Sequence, residues 1–324
     1  MGKIAFVFAG QGAQYSGMGK DLCGASPAAK AVFEAADAVR PNTSEQCFGA
    51  SKEELSITVN TQPCLFAADL AAACALAEKL AEKGLRPEGV AGFSLGEIPA
   101  LTFAGAFDGT SGDGPADRKA GQEAGFRLVV KRGEAMNQAA EEHQGGMVAV
   151  VKLPPEKVEE LCAGQEGVWP VNYNSPAQTV VAGEKDVLPE FSKKVKEARG
   201  LAMPLAVSGA FHSPHMAGAS EALTEALNHV NYRKPDIDVY ANISAAPYPE
   251  DAAEGKALIA AQVKTPVQWQ KTVERMTADG FDTFVEVGPG KTLSGLIKKI
   301  APQAAVYNVD NAEDLQKTAE ALLK

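Results

Sequence analysis

The sequence is poor in the residues that build metal centres and disulfide frameworks. Its 324 residues include only four histidines and five cysteines. The cysteines are Cys23, Cys47, Cys64, Cys74 and Cys162. They are odd in number and form neither a C-x-x-C pair nor a Cys/His cluster. We therefore expect free thiols in a reducing cytosol and no zinc or other metal site.

Long apolar runs and an excess of basic residues are also missing. No segment approaches the roughly 20 apolar residues that a membrane-spanning helix needs. The N-terminus, where a strand is predicted from Lys3, has no signal-peptide pattern. The net charge is −10, which argues against a nucleic-acid partner. We expect a cytoplasmic protein without membrane or nucleic-acid contacts, long enough for one large and one smaller domain.

A nucleophile motif follows a short apolar segment near residue 90. Residues 92–96 read G-F-S-L-G, between a predicted strand and a helix predicted to begin at Leu95. A G-x-S-x-G sequence at a strand-to-helix turn exposes its serine hydroxyl at the top of a sheet, and its glycines permit the sharp turn. A tight turn without chemistry is the alternative. The strand–turn–helix context favours Ser94 as a nucleophile.

A serine nucleophile needs a base, and His212 has the most suitable context of the four histidines. It directly precedes a serine–proline pair that is typical of a helix start. We predict that the positive end of this helix keeps the imidazole neutral, so that it accepts the serine proton. His215 is the second candidate. His143 lies in a polar run and is predicted to be solvated, and His229 closes a predicted helix over 220–230.

A glycine-rich turn, A-G-Q-G-A-Q, follows a predicted strand over residues 3–8. It fails the dinucleotide-binding fingerprint, because Tyr15 stands where glycine or alanine is required, and no G-K-[ST] follows it as in a P-loop. Main-chain amides in such a turn can instead point at a carbonyl oxygen. We predict an oxyanion hole formed by the amides of Gln11 and Leu95.

Arg132 lies on the apolar face of a predicted amphipathic helix. It shares that face with Leu128 and Met136, whereas Arg127 lies on the polar face. A buried guanidinium needs an anion. An internal ion pair with Glu97 or Glu286 and a clamp for a substrate carboxylate are equally compatible with the pattern.

The order of predicted elements indicates an α/β fold in two parts. Residues 1–144 and 208–324 alternate strands and helices, which predicts a large α/β-hydrolase-like domain with a mainly parallel sheet. Residues 145–207 follow the order βαββαβ, typical of an inserted, small ferredoxin-like α+β domain. The cleft between the two domains would hold Ser94.

Seven motifs in this order resemble those of the malonyl-CoA:acyl-carrier-protein transacylases, the free-standing acyltransferases of fatty-acid synthesis. They are 8–14 (FAGQGAQ), 61–63 (TQP), 92–97 (GFSLGE), 131–133 (KRG), 172–176 (NYNSP), 209–214 (GAFHSP) and 286–290 (EVGPG). The resemblance covers nearly the whole chain. It implies that Ser94 is the nucleophile and His212 the base, that Gln11 and Leu95 supply the oxyanion amides, and that Arg132 binds the malonyl carboxylate.

The resemblance also implies roles for four further residues. Gln62, Asn172 and Phe211 would contact the substrate, and Phe211 resembles the malonyl-selective pattern at its position. Gln262 matches a glutamine near which a backbone carbonyl orients the catalytic histidine in relatives. This carbonyl would explain why no triad aspartate stands out.

Three features depart from the family pattern. Phe93 replaces the usual histidine beside the nucleophile, so packing near the acyl site is expected to differ. Pro99 is expected to perturb the first turns of the helix after Ser94. The loop 108–115 is longer than in relatives and is solvated by composition.

The implied reaction transfers malonyl from malonyl-CoA to the phosphopantetheine thiol of acyl carrier protein through a malonyl-serine, without a cofactor. A monomer is expected. A serine esterase or thioesterase, a non-catalytic carrier-protein module and a trans-acting polyketide acyltransferase are the alternatives. Both partners are acidic, so basic clusters are candidates for contacting them. These are Lys193, Lys194, Lys196 and Arg199, and Lys291, Lys298 and Lys299.

Overall fold

The computed structural model describes residues 2–107, 115–207 and 209–324, which form two β-sheets surrounded by helices. The strands are β1 (Lys3–Phe8), β2 (Gly89–Gly92), β3 (Gly145–Val151), β4 (Val168–Ser175), β5 (Gln178–Glu184), β6 (Leu201–Pro204), β7 (Asp238–Tyr240), β8 (Phe281–Val287) and β9 (Ala305–Val309). The predicted α/β class with one larger and one smaller sheet is confirmed.

The helices of the described residues cover both sheets. They are α1 (Lys20–Ala25), α2 (Pro27–Val39), α3 (Thr43–Gly49), α4 (Lys52–Leu55), α5 (Thr58–Ala81), α6 (Glu97–Phe103), α7 (Pro115–Glu142), α8 (Pro155–Ala163), α9 (Leu188–Glu197), α10 (Ala217–Leu227), α11 (Ala252–Gln262), α12 (Trp269–Ala278), α13 (Thr292–Ile300) and α14 (Ala312–Leu322). In this part of the chain, none is both long and apolar enough to cross a bilayer. All five cysteines are free thiols, as predicted.

The larger sheet is parallel throughout, with the order β7-β2-β1-β8-β9. Its central strand β1 is apolar and almost completely buried, as its sequence predicts. Because all strands point the same way, their carboxyl ends meet at one edge. Phe8 pairs with Gly92 there, so the turn after β1 and the turn after β2 lie side by side.

The smaller sheet is antiparallel, with the order β4-β5-β3-β6, and α8 and α9 complete the predicted βαββαβ unit. Val150 and Phe191 belong to the core between this sheet and its two helices. Ala149 and Val180, which face the other way, join the main core. The ferredoxin-like prediction is confirmed. The domain boundaries at 145 and 207 stay a prediction, and Ser208 lies outside the described residues.

Three predicted helix boundaries were wrong. The sequence T-Q-P at residues 61–63 predicts the start of a long helix, but α5 begins at Thr58, so Pro63 lies inside it. The amides of Asn60 and Thr61 already bind the Ile57 carbonyl, which starts the helix earlier than the proline indicates. Helix α10 ends at Leu227 and not at the predicted residue 230, so His229 follows the helix instead of closing it.

The third correction concerns the segment after the nucleophile. Residues Ser94–Gly96 form a 3₁₀ turn, and α6 begins at Glu97 rather than at Leu95. Pro99 has no N–H to donate to the Leu95 carbonyl, which removes one α-helical hydrogen bond from this turn. Of the predicted loop 108–115, residues 108–114 lie outside the described residues, and α7 begins at Pro115.

The two glycines of the G-x-S-x-G turn are required by close backbone contacts. A Cβ atom on Gly92 would lie 1.9 Å from the carbonyl carbon of Gly96. A Cβ atom on Gly96 would lie 2.3 Å from the carbonyl oxygen of Phe8. The turn therefore packs directly against the end of β1, where a side chain has no room.

We expect Gly96→Ala to lower the free energy of unfolding by about 2 kcal/mol or more, because the added methyl overlaps the main chain of β1. Urea denaturation measures the change. The matched control is Gly295→Ala in α13, where a Cβ atom meets nothing within 4 Å. That variant should be neutral or more stable by up to about 1 kcal/mol. Equal stabilities of the two variants would contradict the interpretation.

Candidate active site

Ser94 occupies a strained turn at the carboxyl edge of the parallel sheet. Its φ angle is 53°, in the left-handed region that serine rarely adopts. The side chain is half-buried. The predicted strand–turn–helix setting is therefore present, and the strained backbone is what a nucleophile elbow requires.

His212 is in hydrogen-bond contact with Ser94, although 118 positions separate them in sequence. The Ser94 Oγ atom lies 2.7 Å from His212 Nε2. On the other side of the ring, His212 Nδ1 lies 2.9 Å from the main-chain carbonyl oxygen of Gln262. Because a carbonyl oxygen only accepts, Nδ1 carries the proton and Nε2 is free to accept from the Ser94 hydroxyl. This is the tautomer that a general base needs.

The environment of His212 keeps its imidazole neutral. Burial is the main cause that lowers its pKa to about 4, and the positive charge of Arg132 is the second. The serine–proline pair after His212 predicts a neutral imidazole for another reason, the positive end of a following helix. That segment is only a three-residue 3₁₀ turn, Pro214–Met216, ahead of α10. The predicted protonation state is supported, but its larger cause is desolvation.

Arg132 is 1 % exposed and lies on the buried face of α7, as the helical pattern predicts. Its Nη1 donates to Gln62 Oε1 at 2.8 Å, and its Nη2 donates to Gln262 Oε1 at 2.9 Å. Nη2 also lies 3.3 Å from Ser94 Oγ. The predicted convergence of Ser94, His212 and Arg132 is therefore present.

The alternative ion pair of Arg132 with Glu97 or Glu286 is wrong. Glu97 accepts hydrogen bonds from the Asn242 amide and the Tyr248 hydroxyl. Glu286 accepts from two amides at the start of α13. None of the carboxylates in the described residues forms an ion pair with Arg132.

Burial lowers the pKa of Arg132 to about 10, so the guanidinium is still charged at neutral pH. The charge of Glu97 acts on the guanidinium without contacting it. Because the groups that hydrogen-bond the guanidinium are neutral, an anionic ligand in direct contact with it would be stabilising. The arrangement therefore favours an anion beside Ser94.

The loops that carry the two predicted oxyanion amides lie against each other. A Cβ atom on Gly10 would lie 2.8 Å from the carbonyl oxygen of Phe93, which shows how closely the two turns approach. Within the described residues, the Gln11 and Leu95 amides donate to no protein acceptor. The Ser94 amide, in contrast, donates to Asn242 Oδ1 at 2.7 Å. The oxyanion role of Gln11 and Leu95 stays a prediction.

The four remaining predicted residues divide into two pairs. Gln62 and Gln262 both hydrogen-bond Arg132, and the Gln262 side chain also donates to the Ser94 carbonyl at 2.6 Å. Phe211 is 6 % exposed and packs in the main core, with its ring beside Gly209. Asn172 lies in β4, where its Oδ1 is buried without a hydrogen-bond partner among the described residues. Among the described residues, no hydrogen bond joins Asn172 to Ser94, and the Phe211 side chain has no group that could form one. The substrate contacts of both residues stay predictions.

The other candidate base is excluded by its surroundings. The His215 ring lies 5.0 Å from the exposed His143 ring and 4.9 Å from that of Trp169, rather than beside Ser94. In the described part of the chain, no group of three or more His, Cys, Asp or Glu side chains is arranged to hold a metal ion.

Phe93 fills the space on the other side of the elbow. Its ring makes an edge-to-face contact with Trp269, with centroids 5.6 Å apart. The Phe93 Cδ1 atom would lie 2.9 Å from a Cβ atom on Gly10. The residue that departs from the family pattern thus packs between Trp269 and the turn that carries Gln11.

Sequence reasoning missed Asn242 and the partners of Glu97. Asn242 follows the three-residue strand β7, which pairs with β2 through Ala91 and Tyr240. This pairing puts the segment that follows β7 beside the elbow, and Asn242 is the second residue of that segment. The available signal was one polar residue shortly after a three-residue strand.

Comparisons with known proteins identify the family of the chain. Residues 5–317 match the family model described as acyl transferase domain. The malonyl CoA-acyl carrier protein transacylase of Bacillus subtilis (strain 168) is 37% identical over 328 residues, which covers 99% of this chain and 98% of that protein. The protein of the same name from Haemophilus influenzae is also 37% identical, with both chains fully covered.

Solved structures show the same similarity. The malonyl CoA-acyl carrier protein transacylase of Clostridium perfringens has a TM-score of 0.89 at 37% identity, covering 99% of this chain and 97% of that chain. A malonyl-transacylase in complex with its type II polyketide-synthase acyl-carrier protein has a TM-score of 0.88 at 33% identity, covering 98% of this chain and 99% of that one.

Removing the charge of Arg132 should raise the pKa of His212, because the guanidinium is the second cause of the low value. In the wild type, labelling of Ser94 by a fluorophosphonate should be nearly constant from about pH 8 to 5 and fall only towards the histidine pKa. In Arg132→Met the fall should begin at higher pH, because a more basic imidazole is protonated earlier. The labelling rate against pH measures this.

The control for this experiment is Arg127→Met, which removes an exposed arginine from the same helix. Its profile should match the wild type. An unshifted profile for Arg132→Met would contradict the electrostatic coupling between Arg132 and His212.

Proposed function

The chain belongs to the acyl transferase domain family and, within it, to the malonyl-CoA:acyl-carrier-protein transacylases, and on this premise we propose that it transfers malonyl from malonyl-CoA to the phosphopantetheine thiol of an acyl carrier protein in fatty-acid biosynthesis. The observation that carries the proposal is a single serine hydroxyl between a neutral imidazole and an unpaired guanidinium. Nucleophile, base and anion site then meet at one substrate.

In the first step, Ser94 Oγ attacks the thioester carbonyl carbon while its proton passes to His212 Nε2. The carbonyl oxygen becomes an oxyanion that the amides of Gln11 and Leu95 stabilise, and each such donor is worth roughly 3 kcal/mol. Collapse of the tetrahedral intermediate breaks the C–S bond. The coenzyme A thiolate takes the proton from His212, and malonyl stays on Ser94 as an ester.

The second step repeats the chemistry in the opposite direction. His212 Nε2 takes the proton of the carrier-protein thiol, whose sulfur attacks the ester carbonyl. The C–O bond to Ser94 breaks and the serine recovers its proton from His212. The carbonyl of Gln262 at Nδ1 stabilises the imidazolium that forms in both steps.

Arg132 distinguishes malonyl from uncharged acyl groups. Three of its five N–H donors are directed to Gln62, Gln262 and Ser94. A malonyl carboxylate would accept from the guanidinium, displacing one of these neutral partners where it takes two parallel N–H groups, and a charge-assisted hydrogen bond is stronger than a neutral one. A serine esterase or thioesterase, the rival function on the same elbow, has no need for this buried cation.

The proposal extends to the cofactor requirement of the enzyme, its location in the cell and its protein partner. We propose that no metal or organic cofactor takes part, because the nucleophile, the proton acceptor and the oxyanion donors are all protein groups. The enzyme is proposed to act in the cytoplasm as a monomer, without membrane or nucleic-acid partners. The similarity to a malonyl-transacylase bound to a polyketide carrier protein makes a polyketide carrier the second candidate acceptor.

The basic clusters remain candidates for contacting the acidic partners. Lys193 forms an ion pair with Glu190, and Lys194 donates to a main-chain carbonyl. The other five side chains form no ion pair with the described residues. These are Lys196, Arg199, Lys291, Lys298 and Lys299. We propose these five residues as the better candidates, because no ion pair with a described residue compensates their charge.

Incubation with malonyl-CoA alone should leave a malonyl ester on Ser94, detected by intact mass and peptide mapping. Adding holo carrier protein should discharge the ester onto the carrier thiol. Ser94→Ala should carry no adduct. Release of free malonate faster than transfer to any carrier protein would instead favour the hydrolase.

Arg132→Ala should slow malonyl transfer by roughly 10- to 100-fold, the loss expected for a charged hydrogen-bonded pair. Transfer of acetyl should change much less, so the preference shifts towards uncharged acyl groups. Competition between malonyl-CoA and acetyl-CoA measures this shift. Arg127→Ala, on the exposed face of the same helix, should keep the wild-type preference, and the same preference in Arg132→Ala would overturn the clamp.

A further inference from the structure

Asn242 connects the two ends of the nucleophile turn. Its Oδ1 accepts a hydrogen bond from the Ser94 amide at 2.7 Å, and its Nδ2 donates to the carbonyl oxygen of Gly92 at 2.6 Å. The residue is 1 % exposed, so water does not compete for these bonds. A side-chain amide of this length offers an acceptor and a donor at the same place at every pH.

The main chain of Asn242 is held as firmly as its side chain. Its amide donates to Glu97 Oε2 at 2.6 Å, and the Tyr248 hydroxyl donates to the other oxygen of that carboxylate. Its carbonyl accepts from the Gln268 amide at 2.8 Å. Every polar atom of Asn242 therefore has a partner, and Glu97, the first residue of α6, is joined to the segment that follows β7.

This arrangement fixes the peptide groups on both sides of Ser94. The N–H of Ser94 is held by Asn242, and the C=O of Ser94 is held by Gln262 Nε2 at 2.6 Å. In a planar trans peptide the C=O of one residue and the N–H of the next point in opposite directions. The direction of the Leu95 N–H therefore follows from the Gln262 contact, and the Asn242 contact fixes the preceding peptide group, whose N–H belongs to Ser94.

The backbone strain at Ser94 gives the contact its importance. A non-glycine residue in the left-handed region costs roughly 1–3 kcal/mol and persists only where its surroundings impose it. Asn242 joins Gly92 to Ser94, and Ser94 is the residue of this turn that lies in the left-handed region.

We propose that Asn242, braced by Glu97 and Tyr248, is a positioning residue for the transfer reaction, which holds the Ser94 hydroxyl and the Leu95 amide in register on one carbonyl carbon. The inference rests on the proposed role of Ser94 as the nucleophile. It does not depend on which acyl donor or carrier protein the enzyme uses.

Two variants separate positioning from stability. Asn242→Leu removes both contacts, and its Ser94 labelling by a fluorophosphonate should be about 100-fold slower, the cost of losing an oxyanion donor. For malonyl-CoA, kcat should fall similarly while KM changes less than about threefold, because Arg132 is untouched. Asn228→Leu, at the exposed end of α10, is the control and should behave as the wild type.

Asn242→Asp provides a readout that a purely structural role would not move. One oxygen of the new carboxylate still accepts from the Ser94 amide. Its other oxygen replaces the Asn242 Nδ2 donor and cannot donate to the Gly92 carbonyl, so that hydrogen bond is lost. Protonation restores a donor at that position. The labelling rate of this variant, relative to the wild type, should therefore be low at about pH 8 and rise as the pH falls towards 5.

Labelling of a folded Asn242→Leu within about threefold of the wild type would overturn the proposal. If that variant does not fold, Asn242→Asp decides, and a rate ratio that is constant with pH overturns it. Failure of the proposed function is distinguishable, because malonyl-CoA would then leave Ser94 unmodified while the fluorophosphonate still labels it.

Discussion

The burial of the Arg132 guanidinium without a carboxylate partner is the interaction on which the rest of the site depends. Its hydrogen bonds to Gln62 and Gln262 fix two amide side chains, and Gln262 in turn holds the Ser94 carbonyl. The same charge contributes to the low pKa of His212. One buried cation thus orders the groups around the nucleophile, adds to the effect of burial in keeping the base neutral, and favours an anionic acyl group beside it.

The parallel sheet provides the scaffold for these contacts. Strands β1, β2 and β7 end at the same edge, and each is followed by residues of the site: the turn with Gln11, the elbow with Ser94, and Asn242. Short strands with fixed register place these groups more accurately than flexible loops would. Helices α7 and α11 add Arg132 and Gln262, and the turn ahead of the 3₁₀ segment Pro214–Met216 adds His212, so the site draws on segments from most of the larger part.

Much of this could be predicted from the sequence, because the signals are local. Ser94 stands in a pentapeptide with its own geometry, Arg132 breaks an apolar helical face, and the βαββαβ order identifies the small sheet. Contacts between distant segments could not be predicted. Asn242 meets Ser94 across 148 positions through a strand of three residues, and no pattern in so short a strand specifies its neighbour.

Local rules also failed where tertiary packing overrode them. Proline is favoured at the first helical position, which predicted a helix start at residues 61–63. The segment before Pro63 is buried, so the helix extends back to Thr58 despite the missing hydrogen bond. Similarly, the position of Arg132 on an apolar helix face is compatible with an ion pair to Glu97 or Glu286. The structure shows that both carboxylates accept hydrogen bonds from other groups and do not contact Arg132.

The group that orients His212 is the carbonyl oxygen of Gln262, the last residue of α11, and it belongs to the main chain. No exchange of one side chain for another removes a main-chain carbonyl, whereas an aspartate in that place would be lost by a single codon change. The negative end of the helix dipole adds to its effect on the imidazolium. The tautomer of His212 therefore depends on the main-chain conformation at the end of α11. Substitutions there that preserve this conformation keep the tautomer.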